Sequence, residues 1–181
     1  MAVKILYFVH GTTTDNASKL CSGWSEALLN DLGREQAINL GNVSRERNDH
    51  FDIMFTSDLK RAIESSDIAF PNIEKIRDKR LRECNYGDLD GCHKSLIIYD
   101  EHVDLPFPNG ECLKDVENRI REFIEYLKSN YKGKKIGIVA HRAPQLALDV
   151  IINGMNWNEA NSNDWRKTGD WQPGWEYIIK D

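Results

Sequence analysis

The sequence predicts an α/β fold, a three-layer α/β/α sandwich built on a mostly parallel central sheet. Two runs, Val3–Val9 and Lys135–Ala140, are short, β-branched and nearly continuous in apolar character, the pattern of strands covered on both faces. The segments between them carry helical periodicity instead. Strand and helix alternate along the chain, as in parallel sheets whose crossover helices cover both faces.

The first strand, Val3–Val9, runs into His10-Gly11. Asn30 offers a cap for a helix over 31–47, in which Leu32, Ala37, Leu40 and Val43 fall near one face. Residues 51–56 form a weaker strand, followed directly by a helix over 58–69. The segment 81–112, rich in Gly, Pro, Asp and Asn, reads as a lid-like, partly irregular insertion, which in a small domain is more often functional than filler. The clearest helix spans 113–131, where Val116, Ile120, Phe123, Ile124, Leu127 and Tyr131 make one buried stripe before Gly133 stops it. After Lys135–Ala140, Pro144 occupies a place that a first helical turn tolerates, so 143–153 is the next helix, ended by Gly154. Four of the five tryptophans, Trp157, Trp165, Trp171 and Trp175, fall in the last 25 residues, with capping of the core or sheet edge as their expected role.

Composition narrows the possible functions. The 181 residues carry 24 basic and 29 acidic side chains, a net charge of −5, which argues against nucleic acid as the partner. With 40% apolar and 29% charged residues the chain sits in the globular range, far from disorder. A folded monomer of this size should expose about 9,000 Å² and bury roughly 70% of its extended surface, enough for one core without crosslinks. No repeat, low-complexity stretch or linker divides the chain, so residues 1–181 are expected to form one domain. The longest apolar runs are strand-sized, so no membrane partner is expected, and the apolar stretch after Lys4 is too short for a signal peptide. Cys21, Cys84, Cys92 and Cys112 show neither Cys-x-x-Cys nor zinc spacing, so free thiols and a cytoplasmic location are expected.

The chemistry should lie at the strand ends. Val3–Val9 stops at His10 and Lys135–Ala140 at His141, and in open α/β sheets ligands bind outside the carboxyl ends of the strands. One histidine there is ordinarily a residue of the core edge, but two at matched positions can converge on one ligand. Arg61, one helical turn beyond the strand that ends near Ser57, would overlook the same edge.

The stretch Phe8-Val9-His10-Gly11-Thr12-Thr13-Thr14-Asp15-Asn16 resembles the signature of the histidine phosphatase superfamily, the phosphoglycerate mutase-like fold: Arg-His-Gly, then Glu-Thr, then an Asn six residues after the histidine. Further matches follow in order. Gly23-Trp24, Leu32-Gly33-Arg34-Glu35-Gln36-Ala37, Thr56-Ser57-Asp58-Leu59-Lys60-Arg61-Ala62, Leu81-Arg82-Glu83 and Val139-Ala140-His141 are similar to the family's successive motifs. The resemblance spans residues 4 to about 150 and implies a phosphatase acting on small phosphorylated metabolites. His10 would be the nucleophile that becomes phosphohistidine, Glu83 the general acid, and Arg61, His141 and Asn16 the cradle for the phosphoryl oxygens. It implies no metal or other cofactor. The partner is a small phosphorylated substrate, and a homodimer is the assembly considered.

Three positions depart from the family pattern. Val9 stands where an arginine normally precedes the nucleophile, Thr12 replaces the family's Glu, and Arg142 follows the second histidine where Gly is common. Losing one charge-assisted bond to phosphate costs roughly 1.5–3 kcal/mol, about 10- to 150-fold in rate. Arg142 is the candidate to restore that charge as a phosphate-binding residue. A phosphate-binding module with impaired turnover is the first alternative. A mutase is the second, ranked lower because the chain is short for the family's mutase-type insertions.

Overall fold

Along β1 (Val3–Val9) the side chains alternate between two cores, Val3, Ile5 and Tyr7 entering one and Leu6 and Phe8 the other. This period of two places β1 inside the sheet with both faces covered. In the computed structural model, which describes residues 1–167 and 174–180, five strands lie in the order β3 (Lys75–Arg77), β2 (Ile53–Thr56), β4 (Lys135–Ala140), β1 and β5 (Trp175–Ile179). The first four are parallel to their neighbours, while β5 runs antiparallel to β1 with Trp175 opposite Tyr7. The molecule exposes 9037 Å² of surface, in line with the expectation for its mass.

Helices cover both faces. On one, α4 (Leu113–Asn130) and α5 (Arg142–Asn153) bury Val116, Ile120, Phe123 and Leu127 with Leu146 and Ala147 against Ile5, Ile136 and Ile138. On the other, α2 (Asp31–Glu46) and α3 (Lys60–Ala69) cover Leu6, Phe8, Met54 and Val139. Asn30 caps α2 by accepting from Gly33 N, and Gly154 ends α5 with a left-handed φ of 73°. Two short helices, α1 (Thr14–Ala17) and α6 (Trp157–Ser162), flank these layers.

The buried face of α2 differs from the sequence expectation. Leu32 is 52% exposed, and the stripe that packs is Gly33, Ala37, Leu40, Gly41 and Ser44. Close approach decides this. A Cβ on Gly33 would lie 2.0 Å from Thr12 O and one on Gly41 2.5 Å from Ala69 O, so small residues let α2 touch backbone where leucine would hold it away. The helix expected over 58–69 begins at Lys60, because Leu59 is extended and Asp58 is paired with Arg82. The insertion over 81–112 is built of short 3-10 turns, and Leu81, Cys84, Tyr86, Ile97, Phe107 and Cys112 anchor it in the core. Trp157 is buried in α6 and Trp175 opens the edge strand, as expected of core and edge caps, while Trp171 lies outside the described residues. Among the described residues no helix is long and apolar enough to cross a membrane.

Candidate active site

The carboxyl ends of β1, β2 and β4 open into a cleft of about 460 Å³, lined among others by His10, Asn16, Arg61, Glu83 and Arg142. His141 does not line it but lies fully buried behind His10, with ring centroids 5.0 Å apart.

His10 is half-buried, and its Nδ1 lies 2.7 Å from the Gly11 carbonyl oxygen. A carbonyl only accepts, so Nδ1 carries the hydrogen and Nε2 keeps the free lone pair of the neutral ring. Burial and then the Arg61 charge lower the His10 pKa to about 3, against a partial opposing effect of the Gly11 carbonyl. The ring is therefore neutral at pH 7, the form a nucleophile needs. The loop that carries it is clamped to two helices. Gly11 N donates to Ser65 Oγ at 3.0 Å, while Thr12 N and Oγ1 both donate to Gln36 Oε1. A Cβ on Gly11 would fall 2.2 Å from Gly33 O, which gives the Gly11 and Gly33 motif positions a common steric reason.

His141 is held by Tyr7, whose hydroxyl donates to His141 O at 2.7 Å and accepts from His141 N at 3.0 Å. Ser57 Oγ accepts from Leu59 N and lies 2.8 Å from His141 Nε2. That hydroxyl has a second lone pair as well as its own hydrogen, so it can accept from Nε2 or donate to it, and only donation leaves Nδ1 as the N–H of the neutral ring. That Nδ1 is buried and has no hydrogen-bond partner among the described residues. Burial, followed by Arg61 and His10, pushes the His141 pKa well below its ordinary value. Arg61 is 2% exposed, and its guanidinium donates to the carbonyls of Ser25 at 2.9 Å and Gly23 at 2.7 Å. Gly23 of the Gly23-Trp24 motif and Ser25 just after it thus supply the backbone acceptors that orient a buried cation.

Glu83 sits on the N-terminus of α5. Its Oε1 accepts from Cys84 N and Ala143 N, each at 2.9 Å, and Oε2 accepts from Arg142 N at 3.2 Å. The carboxylate thereby caps a helix that has no side-chain cap from His141. Its backbone is fixed from two sides, since Trp24 Nε1 and Arg119 Nη2 both donate to Glu83 O. Asn16 is exposed and closes the capping box of α1, with Oδ1 accepting from Thr13 N. The box uses its side-chain oxygen and backbone N, not its amide nitrogen.

Arg142 lies in the cleft wall, not in solvent. Its Nε donates to Asp164, its Nη2 to Asn161 Oδ1 at 3.1 Å, and its guanidinium stacks 3.8 Å from the Tyr99 ring. Burial works against its charge, yet Tyr99 and Asp164 hold its pKa above the ordinary arginine value. Asp164, Asn161 and Arg166 were not singled out by sequence reasoning. They belong to the tail, where no motif was recognised, and their partnership with Arg142 is visible only in three dimensions. Ser57 and Tyr7 were likewise read as a strand end and a core residue. Among the described residues no three His, Cys, Asp or Glu side chains gather as metal ligands do.

Comparison with known proteins sets this geometry in a group. Residues 6–170 match the histidine phosphatase superfamily (branch 1). A 2,3-bisphosphoglycerate-dependent phosphoglycerate mutase of Allorhizobium ampelinum is 34% identical over 80% of this chain and 76% of its own length. A mycobacterial glucosyl-3-phosphoglycerate phosphatase, solved in complex with VO3, superposes with a TM-score of 0.77 at 23% identity, covering 89% of this chain and 86% of that one. A phosphoglycerate mutase from Bacillus anthracis gives 0.72 at 21% identity, covering 84% and 81%.

Proposed function

Because this chain belongs to the histidine phosphatase superfamily, we propose that it is a phosphomonoesterase that hydrolyses small phosphorylated metabolites through a phosphohistidine on His10. The observation that carries this reading is the fixed tautomer of His10. Gly11 O holds the Nδ1 hydrogen, so a neutral Nε2 is available beside Arg61 in a cleft of metabolite size.

In the first step His10 Nε2 attacks phosphorus, the P–N bond forms and the P–O bond to the leaving group breaks. Glu83 gives its proton to the departing alkoxide. In the second, water attacks the phosphohistidine, Glu83 takes the water's proton, and inorganic phosphate leaves with His10 neutral again. Oε1 has both lone pairs engaged by Cys84 N and Ala143 N, whereas Oε2 accepts only from Arg142 N and keeps one position, so Oε2 is the oxygen that gives and takes the proton. Arg61 receives the phosphoryl oxygens, and the Asn16 amide completes the cradle. With Ser57 donating to its Nε2, His141 offers Nδ1–H from behind His10 to a phosphoryl oxygen that reaches past the cleft wall. Four free cysteines fit a reducing, cytoplasmic setting for this chemistry.

The curated relatives are named phosphoglycerate mutases, and a mutase reading of this chain uses the same first step with a second hydroxyl in place of water as the acceptor. An assay of p-nitrophenyl phosphate and a panel of sugar and glycerate phosphates, with both free phosphate and isomerised product measured, tests the proposal. Stoichiometric free phosphate is expected. Isomerised product without phosphate release identifies a mutase. Vanadate binding with no turnover of any substrate identifies the binding module.

A further inference from the structure

Position 9 is Val where the family resemblance calls for a phosphate-binding arginine, yet the cleft is lined by two guanidiniums, Arg142 and Arg166, that the proposed reaction has not used. We infer that Arg166, brought in by the C-terminal segment, supplies to the reacting phosphoryl group the cation that Val9 cannot. This rests on the phosphomonoesterase reading and extends it to a residue far from the family's motifs.

Topology brings Arg166 to the right end of the sheet. β5 begins with Trp175 opposite Tyr7, two residues before Val9. The turn Trp165–Lys167 leans on that strand, with the Arg166 guanidinium 4.9 Å from the Trp165 ring and 5.9 Å from the Trp175 ring. Arg166 therefore approaches the cleft from the edge-strand side of β1, and it lines the cleft together with Val9, His10 and Arg61.

The side chain is held but incompletely used. Nη1 donates to Asp164 Oδ1 at 2.7 Å and the Arg166 backbone N donates to the same oxygen at 3.1 Å. Nη2 is buried without a hydrogen-bond partner among the described residues. On the other oxygen of Asp164 sits Arg142, so two guanidiniums share one carboxylate and one positive charge is left over. A half-buried, unbalanced cation whose one unpaired nitrogen is buried is the electrostatic description of an anion site.

Both arginines keep one buried nitrogen without a hydrogen-bond partner among the described residues, Nη1 on Arg142 and Nη2 on Arg166, but Arg142 is tied through its other two nitrogens to Asp164 and Asn161 and covered by Tyr99. It acts as a positioning residue: it fixes Asp164, and Asp164 fixes Arg166. Arg166 is the one whose charge, after burial and Arg61, is felt at the His10 imidazole.

The test uses vanadate, which carries the phosphoryl geometry without a leaving group, alongside p-nitrophenyl phosphate turnover. Arg166→Met keeps the stem against the two tryptophans, and its thermal unfolding checks that the tail is folded. The expected result is a loss of about 10- to 150-fold both in vanadate inhibition and in kcat/KM, the range of one charge-assisted hydrogen bond. Arg166→Lys should retain part of the affinity, and Val9→Arg in the Arg166→Met background should regain part of it. Wild-type turnover with unchanged vanadate affinity in Arg166→Met, whether or not KM rises, overturns the role of Arg166 and leaves the phosphatase reading standing. Vanadate binding that depends on Arg166 in a chain with no turnover sustains Arg166 and removes the phosphatase reading. A wild-type chain that neither turns over nor binds vanadate removes both.

Discussion

On the strand-end wall of the cleft, His10 gives its Nδ1 hydrogen to the Gly11 carbonyl and Arg61 gives two N–H groups to the carbonyls of Gly23 and Ser25. On the tail wall, Arg142 and Arg166 are oriented by one side chain, Asp164, with tryptophan and tyrosine rings as backing. The first wall is set by main chain at the mouths of buried strands. The second is a buried ionic cluster whose members depend on one another. Damage on the first wall should therefore appear as lost chemistry in a folded protein, and damage on the second as lost stability together with weakened anion binding.

The largest effect belongs to the first wall. Replacing His10 by Ala removes the attacking nitrogen, and kcat should fall by about 10⁴-fold or more in steady-state assays while thermal unfolding stays near wild type. Equal activity in the variant would move the nucleophile elsewhere and erase the distinction between the walls.

Next comes Asp164→Ala. It leaves two guanidiniums buried side by side without their carboxylate, and removal of one partner of a buried ion cluster costs about 3–5 kcal/mol. Chemical denaturation should show that loss, and the double change Asp164→Leu with Arg142→Met should recover part of it by removing one of the two stranded charges. A variant as stable as wild type would mean that the tail wall is not electrostatically built.

Glu83 joins the walls, since it caps α5 just where Arg142 begins it. Glu83→Gln should lower kcat about 10²-fold on alkyl phosphates and less than tenfold on p-nitrophenyl phosphate, whose leaving group needs no proton. The amide nitrogen will also face an N–H of Cys84, Arg142 or Ala143, so about 1–2 kcal/mol of stability should go with it. Equal losses on both substrates would leave only the capping role.

The smallest effect is a pH slope. With the folded His10 pKa lowered to about 3 against an ordinary 6.5, the unfolded chain binds a proton between these values that the folded chain does not. His10 therefore costs no stability above pH 6.5, and each unit of acidification toward pH 3 removes about 1.4 kcal/mol. His141 acts in the same direction. In denaturation at pH 7, 6 and 5, the stability of His10→Gln should decline less steeply than that of wild type. Parallel curves would mean that the ring is not shielded as the structure has it.

The contrast between the walls also explains what the sequence could reveal. Val3–Val9 and Lys135–Ala140 were legible to the residue because doubly buried strands are continuous apolar runs, and His10 and His141 followed from where those runs stop. The α4 stripe was legible for the same reason, as helical period written in large side chains. The face of α2 was misread because its contacts are made by glycine, alanine and serine, which hydropathy ranks low. β3 has three residues, two of them charged, and carries almost no pattern. β5 does alternate, with Tyr177 and Ile179 buried and Glu176 and Ile178 exposed, but it is a five-residue antiparallel edge strand beyond the last recognised motif, and so short an alternation carries little weight. Arg166 and Asp164 could not be read at all. Their meaning comes from Arg142, 22 residues before Asp164, and only the fold puts them together.

The central claim is that a phosphoryl group rests on His10 during turnover. Wild-type protein mixed with a ³²P-labelled phosphomonoester and quenched within the first turnovers should yield a labelled protein that is stable in base and labile in acid. The label should map to the peptide containing His10 and be absent in His10→Ala. A wild type that turns over at full rate with no label trapped at any quench time, or with the label on another residue, would contradict the account.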